Sequence, residues 1–185
     1  MRKTLAFGLF SALVLALPAS AEVGQGSQGT GEIGAGFGYT SIDSDKSVSG
    51  DGDSGTAIGV RGGYNFTKLF ELEGQIGDMS SSNSGVDTGM NTYMVNAVFN
   101  FHPNDAIVPY VLGGVGHTSL SYDTPIGSIS DSSSAYQVAV GSRFYFGAAK
   151  KAGVRVEIAS LNESTFDESS THNDLNVGFT WRFGR

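Results

Sequence analysis

The chain has no cysteine among its 185 residues. An exported version of it could use no disulfide, so its stability would have to come from hydrogen bonding and packing. Basic residues are also scarce, 11 Lys and Arg against 18 Asp and Glu. The formal charge of −7 falls to −9 if Arg2 and Lys3 are removed, which argues against nucleic acid or anionic headgroups as non-specific partners. Beyond Ala21 no apolar run approaches the length of a membrane-spanning helix. A membrane form of the mature chain would therefore have to be a closed barrel, because in lipid every backbone polar group needs an internal partner.

The one apolar run lies at the start. Arg2 and Lys3 precede the stretch from Leu5 to Leu17, Pro18 closes it, and Ala19-Ser20-Ala21 supplies small residues for cleavage. This is the pattern of an export signal over residues 1–21, too short to span as a helix, with the mature chain starting at Glu22. Residues 22–185, about 164 in number, suit one domain with a sizeable core.

At the other end, Leu175, Val177, Phe179, Trp181 and Phe183 alternate with Asn176, Gly178, Thr180 and Arg182. In a strand these sets point to opposite faces, one greasy and one polar or small. Seven further segments read the same way. Ile33, Ala35, Phe37 and Tyr39 oppose Glu32, Gly34, Gly36 and Gly38 near 31–42, and Ile58, Val60, Tyr64 and Phe66 oppose Ala57, Gly59, Arg61 and Asn65 near 56–66. Phe70, Leu72 and Ile76 alternate with Glu71, Glu73 and Gln75 near 69–78, and Tyr93, Val95, Ala97, Phe99 and Phe101 with Thr92, Met94, Asn96, Val98 and Asn100 near 91–101. The segment near 107–118 allows two phases. Val111 and Val115 face out with Pro109, or Tyr110 and Leu112 do; the first is preferred because it sends Gly114 and Gly116 to a crowded interior. Near 135–146, Tyr136, Val138, Val140, Phe144 and Phe146 oppose Gln137, Ala139, Gly141, Arg143 and Tyr145, and near 154–161 Val154, Val156 and Ile158 oppose Arg155, Glu157 and Ala159.

The connections alternate too. Thr67-Lys68, His102-Pro103-Asn104-Asp105 and Gly147 to Gly153 are short, whereas 43–55, 79–90, 119–134 and 162–172 are long and rich in Ser, Asp, Gly and Asn. The long ones carry Asp43, Asp45, Asp51, Asp53, Asp87, Asp123, Asp131, Glu163, Asp167 and Glu168 against a single Lys46, while Lys68, Lys150 and Lys151 sit in the turns. An export signal, aromatic outer faces and alternating loop lengths together predict an all-β fold, an eight-stranded antiparallel up-and-down transmembrane β-barrel, with both termini and the turns in the periplasm.

On this reading the interior collects Arg61, Arg143, Arg155 and Arg182 with Glu71, Glu73 and Glu157, and Glu32 is a further candidate for it. Charges inside so narrow a barrel need partners, and a ladder of Arg–Glu pairs supplies them. Eight strands leave room only for side chains, which predicts a plugged core. The competing arrangement, a soluble β-sandwich with these charges on its wet face, would need a partner sheet for the aromatic faces.

With the leader, the segment Pro109-Tyr110-Val111-Leu112-Gly113-Gly114-Val115-Gly116, the segment Tyr136-Gln137-Val138-Ala139-Val140-Gly141-Ser142-Arg143 and the aromatic last strand, the chain resembles the outer-membrane β-barrel family of OmpA-like and opacity-protein-like domains over essentially all of its mature length. The resemblance implies residence in the bacterial outer membrane, contact with its lipid, and insertion by the barrel assembly machinery through the last-strand aromatics Phe179, Trp181 and Phe183. Here Gly184 and Arg185 follow Phe183, a departure from the family's usual terminal Phe.

Chemistry-bearing patterns are few. A barrel enzyme acting on outer-membrane lipid would need a His beside a Ser or Asp, and His117 with Ser119 or His172 with Asp174 are the candidates. Asp43-Ser44-Asp45 and Asp51-Gly52-Asp53 alternate carboxylates as hard cations like, but lack the rest of a calcium loop. Gly34-Ala35-Gly36-Phe37-Gly38 lies in a strand with no helix following, so it packs rather than cradles phosphate, and no cofactor is expected. The function expected is structural or surface-display and adhesion, with the loops meeting an extracellular ligand or host surface. A narrow channel for small or apolar solutes is the alternative in a different class, and the barrel enzyme a third.

Overall fold

A computed structural model of the chain describes residues 28–43, 54–83, 86–103, 105–124, 127–165 and 168–184. The strands are β1 (Thr30–Asp43), β2 (Ser54–Asn65), β3 (Phe70–Asn83), β4 (Val86–Asn100), β5 (Ile107–Thr124), β6 (Gly127–Phe146), β7 (Ala152–Thr165) and β8 (Glu168–Gly184). Each pairs antiparallel with the next in sequence, and β8 returns to β1, closing the barrel. The leader at residues 1–21 lies outside the described residues, as do Ser44, Asp45, Lys46, Asp51, Gly52, Asp53, Asn104 and Asp167.

The period-two pattern sorts the side chains as the alternation requires. Phe37, Ile58, Leu72, Val95, Val140, Ile158 and Phe179 stand on the outer surface, while Glu73, Asn96, Arg143 and Tyr110 are fully buried in the lumen. β5 takes the phase with Val111 and Val115 outward and Tyr110 and Leu112 inward. An outer wall this greasy is stable only against lipid. Its rim at the turn end is aromatic, with Phe70 edge-on to Phe99 and Phe99 to Phe101, each pair 5.0 Å between centroids. The other rim carries Tyr39, Tyr93 and Tyr136. From Tyr136 to Phe146, at ~3.3 Å per residue and a tilt of ~40°, the outer face rises roughly 25 Å, the height of an outer-membrane hydrocarbon band.

The turns are tight. Thr67 Oγ1 accepts from the amides of Phe70 (2.9 Å) and Leu69 (3.2 Å), which closes the β2–β3 turn. Gly147, at φ 79°, opens the β6–β7 turn in a conformation that favours glycine.

The opposite end corrects the expectation of four long loops. Segments 79–90, 119–134 and 162–172 are mostly strand: β3 and β4 pair out to Asn83 and Val86, β5 and β6 out to Thr124 and Gly127, and β7 and β8 out to Thr165 and Glu168. Asp87, Asp123, Asp131 and Glu168 therefore sit on strands that project beyond the lipid band. The physical reason is plain. Above the band the outward residues no longer need to be apolar, so polar residues occupy both faces and the alternation vanishes while the backbone pairing continues.

One stretch of wall is almost bare inside. Gly34 and Gly36 on β1 neighbour Gly59 on β2 and Gly178 on β8, and a Cβ at Gly36 would meet the Val177 carbonyl oxygen at 2.9 Å and the Gly178 Cα at 3.0 Å. The missing side chains let these strands approach closely and leave the lumen to long side chains from the facing wall.

Candidate functional site

The charged side chains expected inside all point into the lumen, and most meet there. Arg143, on β6 near the turn end, is wholly buried. Its Nε lies 2.9 Å from Glu32 Oε1, its Nη1 2.8 Å from Glu71 Oε2, and its Nη2 3.8 Å from Glu73. Nη1 also donates to Asn100 Oδ1 at 3.0 Å. Arg155, on β7, reaches across to Glu73 (Nη1 to Oε2, 2.5 Å) and along its own strand to Glu157 (Nη2 to Oε2, 2.6 Å). Arg61 on β2 completes the group, 3.2 Å from Glu157 and 3.6 Å from Glu73, and Arg182 on β8 stands 3.5 Å from Glu32. Four guanidinium groups thus face four carboxylates, contributed by β1, β2, β3, β6, β7 and β8.

Sequence reasoning missed what joins these ions. Tyr110 from β5 stands among them: its hydroxyl donates to Glu157 Oε2 at 2.7 Å and accepts from Arg155 Nε at 2.6 Å, while Arg143 and Arg155 lie over its ring at 4.8 and 4.5 Å. Tyr145 does the same at the turn end, donating to Glu32 with Arg182 over its ring at 3.9 Å. Asn96 donates to Glu73 and Gln75, each at 3.2 Å, and Gln137 to Asn96 at 2.7 Å. The available signal was the inward phase of Tyr110 and Tyr145, because a buried tyrosine hydroxyl needs a polar partner.

The catalytic candidates part company. His117 is exposed on the outer face of β5, opposite Tyr93 and Ser134, with Ser119 on that same face. His172 is buried, and its Nε2 lies 3.0 Å from Glu163 Oε1, so its partner is Glu163 rather than Asp174. Glu163, expected as a loop acid, is an interior residue of β7 that also accepts from Thr118. Among the described residues no three His, Asp or Glu side chains could hold a metal ion.

Of the last-strand aromatics, Phe179 and Trp181 project from the outer wall and the Phe183 ring lies over Gly31.

A closed eight-stranded barrel with an apolar band outside and a balanced ion network inside defines a transmembrane protein of the bacterial outer membrane. The family model for the outer membrane protein beta-barrel domain matches residues 7–183, and the chain belongs to that family. It is 29% identical over 119 residues to the outer membrane protein PagN of Salmonella typhimurium strain LT2, a match covering 51% of this chain and 50% of PagN, so it spans about half the length of that relative. The fold is similar to that of Neisserial surface protein A (TM-score 0.70, 12% identity, 83% of this chain and 99% of the other). It is also similar to that of Ail, the attachment invasion locus protein of Yersinia pestis (TM-score 0.59, 18% identity, 84% and 99%).

Proposed function

We propose that the barrel is a non-catalytic platform whose working part is its loop end, a structural and surface-display protein that attaches to an extracellular ligand or host surface. The observation that carries this reading is the filled lumen. Arg143, Asn96, Val98, Val108 and Tyr110 are buried to within 1% exposure across the barrel's lower half, which supports a lumen closed to solutes. The other half of the argument is the set of paired strands that continue past the lipid band, since strands held by backbone pairing present side chains at lower entropic cost than unpaired loops. Ail has been crystallised with the heparin analogue sucrose octasulfate, a polyanion. The loop segments of the present chain hold many carboxylates and one lysine, so a cationic surface suits them better.

Planar-bilayer recording tests the plug. The purified barrel is expected to give no reproducible open states, and defined unitary currents would replace the platform with a narrow channel. The adhesive role is tested by binding of cells displaying the protein to cationic and sulfated surfaces.

Two features serve delivery in this reading. Residues 1–21 are an export signal, so the mature protein recovered from outer membranes should begin at Glu22, as intact-mass measurement would show. Phe179, Trp181 and Phe183 form the signal for the barrel assembly machinery. Replacing Phe179 and Trp181 together by Ala should lower the amount inserted severalfold while leaving detergent-refolded protein able to fold; equal insertion would reject that role.

A further inference from the structure

Within the lipid band the barrel has no free edge, because every strand is paired on both sides. Past the loop-side rim that closure ends on one flank. β6 keeps its register with β5 as far as Thr124↔Gly127, but with β7 only as far as Ala135↔Glu163. Continued at the same register, Thr165, the last residue of β7, would reach Ser133. Gly127 to Asp131 therefore stand beyond the end of β7, with β5 on one side and, among the described residues, no strand on the other. Behind them the projecting sheet is four strands wide, since β3 pairs with β4 to Asn83↔Val86 and β4 with β5 to Asp87↔Asp123.

One bond shows which backbone groups face the open side. The Tyr145 N–H donates to the carbonyl of Ala106, the residue leading into β5. No bulge interrupts the β5–β6 register from there to Gly127, so odd-numbered residues of β6 turn their N–H and C=O to β5 and even-numbered ones turn theirs away. Ser128 and Ser130 thus present donor and acceptor pairs, one residue apart in phase, to the open side. Such a row is matched by a second extended backbone, the strand-addition mode of peptide recognition. Exposed edges are commonly guarded by lysine, proline or a bulge, and residues 127–134 have none of the three. The charge gives the partner a sign. Between Lys68 and Arg143 the chain has no lysine or arginine, whereas the projecting sheet carries Asp87, Asp123 and Asp131, the first two as register partners. Like charges oppose pairing with the same edge of a second copy and favour a cationic strand. We propose that the Gly127–Asp131 edge of β6 takes up an extended, lysine- or arginine-bearing peptide segment of a partner protein as a fifth strand of the projecting sheet. This rests on the attachment reading above and names the chemistry of what is attached.

The probe is a fluorescent octapeptide of alternating lysine and valine, titrated by anisotropy against the mature barrel in zwitterionic micelles. Its counterpart carries N-methyl groups on alternate backbone amides, which keeps the charge and removes the pairing of one edge. Ser130→Pro deletes a donor that faces the open side and leaves the ladder to β5 whole, while Ser130→Thr keeps the donor. The heat-dependent shift in gel migration confirms that each variant is folded. Expected are affinities at least about tenfold weaker for the N-methylated peptide and for Ser130→Pro, unchanged affinity for Ser130→Thr, and a severalfold loss in Asp123→Asn/Asp131→Asn. Equal binding of the two peptides would reduce the effect to charge attraction and overturn the proposal, as would no binding at about 1 mM peptide or full affinity in Ser130→Pro. Wild-type dimers that Ser130→Pro abolishes would assign the edge to a second copy instead. Cells displaying Ser130→Pro that attach as well as wild type would reject the edge and leave the attachment reading standing, whereas wild-type cells that attach to no surface would end that reading itself.

Discussion

Arg143→Met is expected to lower stability by roughly 3–5 kcal/mol, because removing one partner of a buried ion pair strands the others in low dielectric. The stranded groups can be named. Glu71 would keep only the amide of Asn100 at 3.4 Å, and Glu32 would keep Tyr145 and the more distant Arg182 at 3.5 Å. Water cannot repair the loss, since the site is closed by Val98, Val108 and Tyr110, each buried to 1% exposure or less. Adding Glu71→Gln to Arg143→Met should return part of the stability, because a whole pair replaced by neutral groups can be tolerated where half a pair is not. Urea unfolding of the barrel in detergent micelles reads both. A single variant within about 0.5 kcal/mol of wild type, the scatter of ordinary surface substitutions, would mean that the ion network is ornamental to folding.

The same network shows how far the sequence could be read. Which side chains enter the lumen follows from period-two alternation wherever lipid forces the outer face to be apolar. Eight strands, their faces and the inward set of Arg and Glu residues were therefore legible, down to the phase of β5, where Gly114 and Gly116 on the inner side tipped the choice. Who meets whom inside was not legible, because that depends on the stagger between strands. Glu73 and Arg155 are 82 residues apart in sequence and become neighbours only when the barrel closes. The projecting hairpins were lost for the complementary reason. Asn162 and Glu163 continue β7 past the expected strand end at 161 with no lipid to sort them, so they looked like loop, and the burial of Glu163 against Thr118 and His172 went unread.

Whether the outer face truly meets lipid is decided by a charge placed on it. Val140 stands on the outer wall of β6, 56% exposed, between its register partners Val111 and Ile158, which also face outward. It lies well inside the band bounded by Tyr136 and Phe146. Val140→Arg should cost roughly 2–4 kcal/mol in refolding into lipid vesicles, the range for arginine at the midplane of such barrels. Ser132→Arg on the same strand and the same face, beyond Tyr136 and opposite Ser119, should cost less than about 0.5 kcal/mol, because the guanidinium remains in water. The contrast isolates depth, since strand, face and introduced side chain are common to both variants. It should also shrink when the barrel is refolded in denser headgroup or thinner bilayers, where an arginine stem at Val140 can carry its charge to the interface. Equal small costs at the two positions would mean that the aromatic and aliphatic outer wall faces something other than hydrocarbon, and the height of the band would then need another cause.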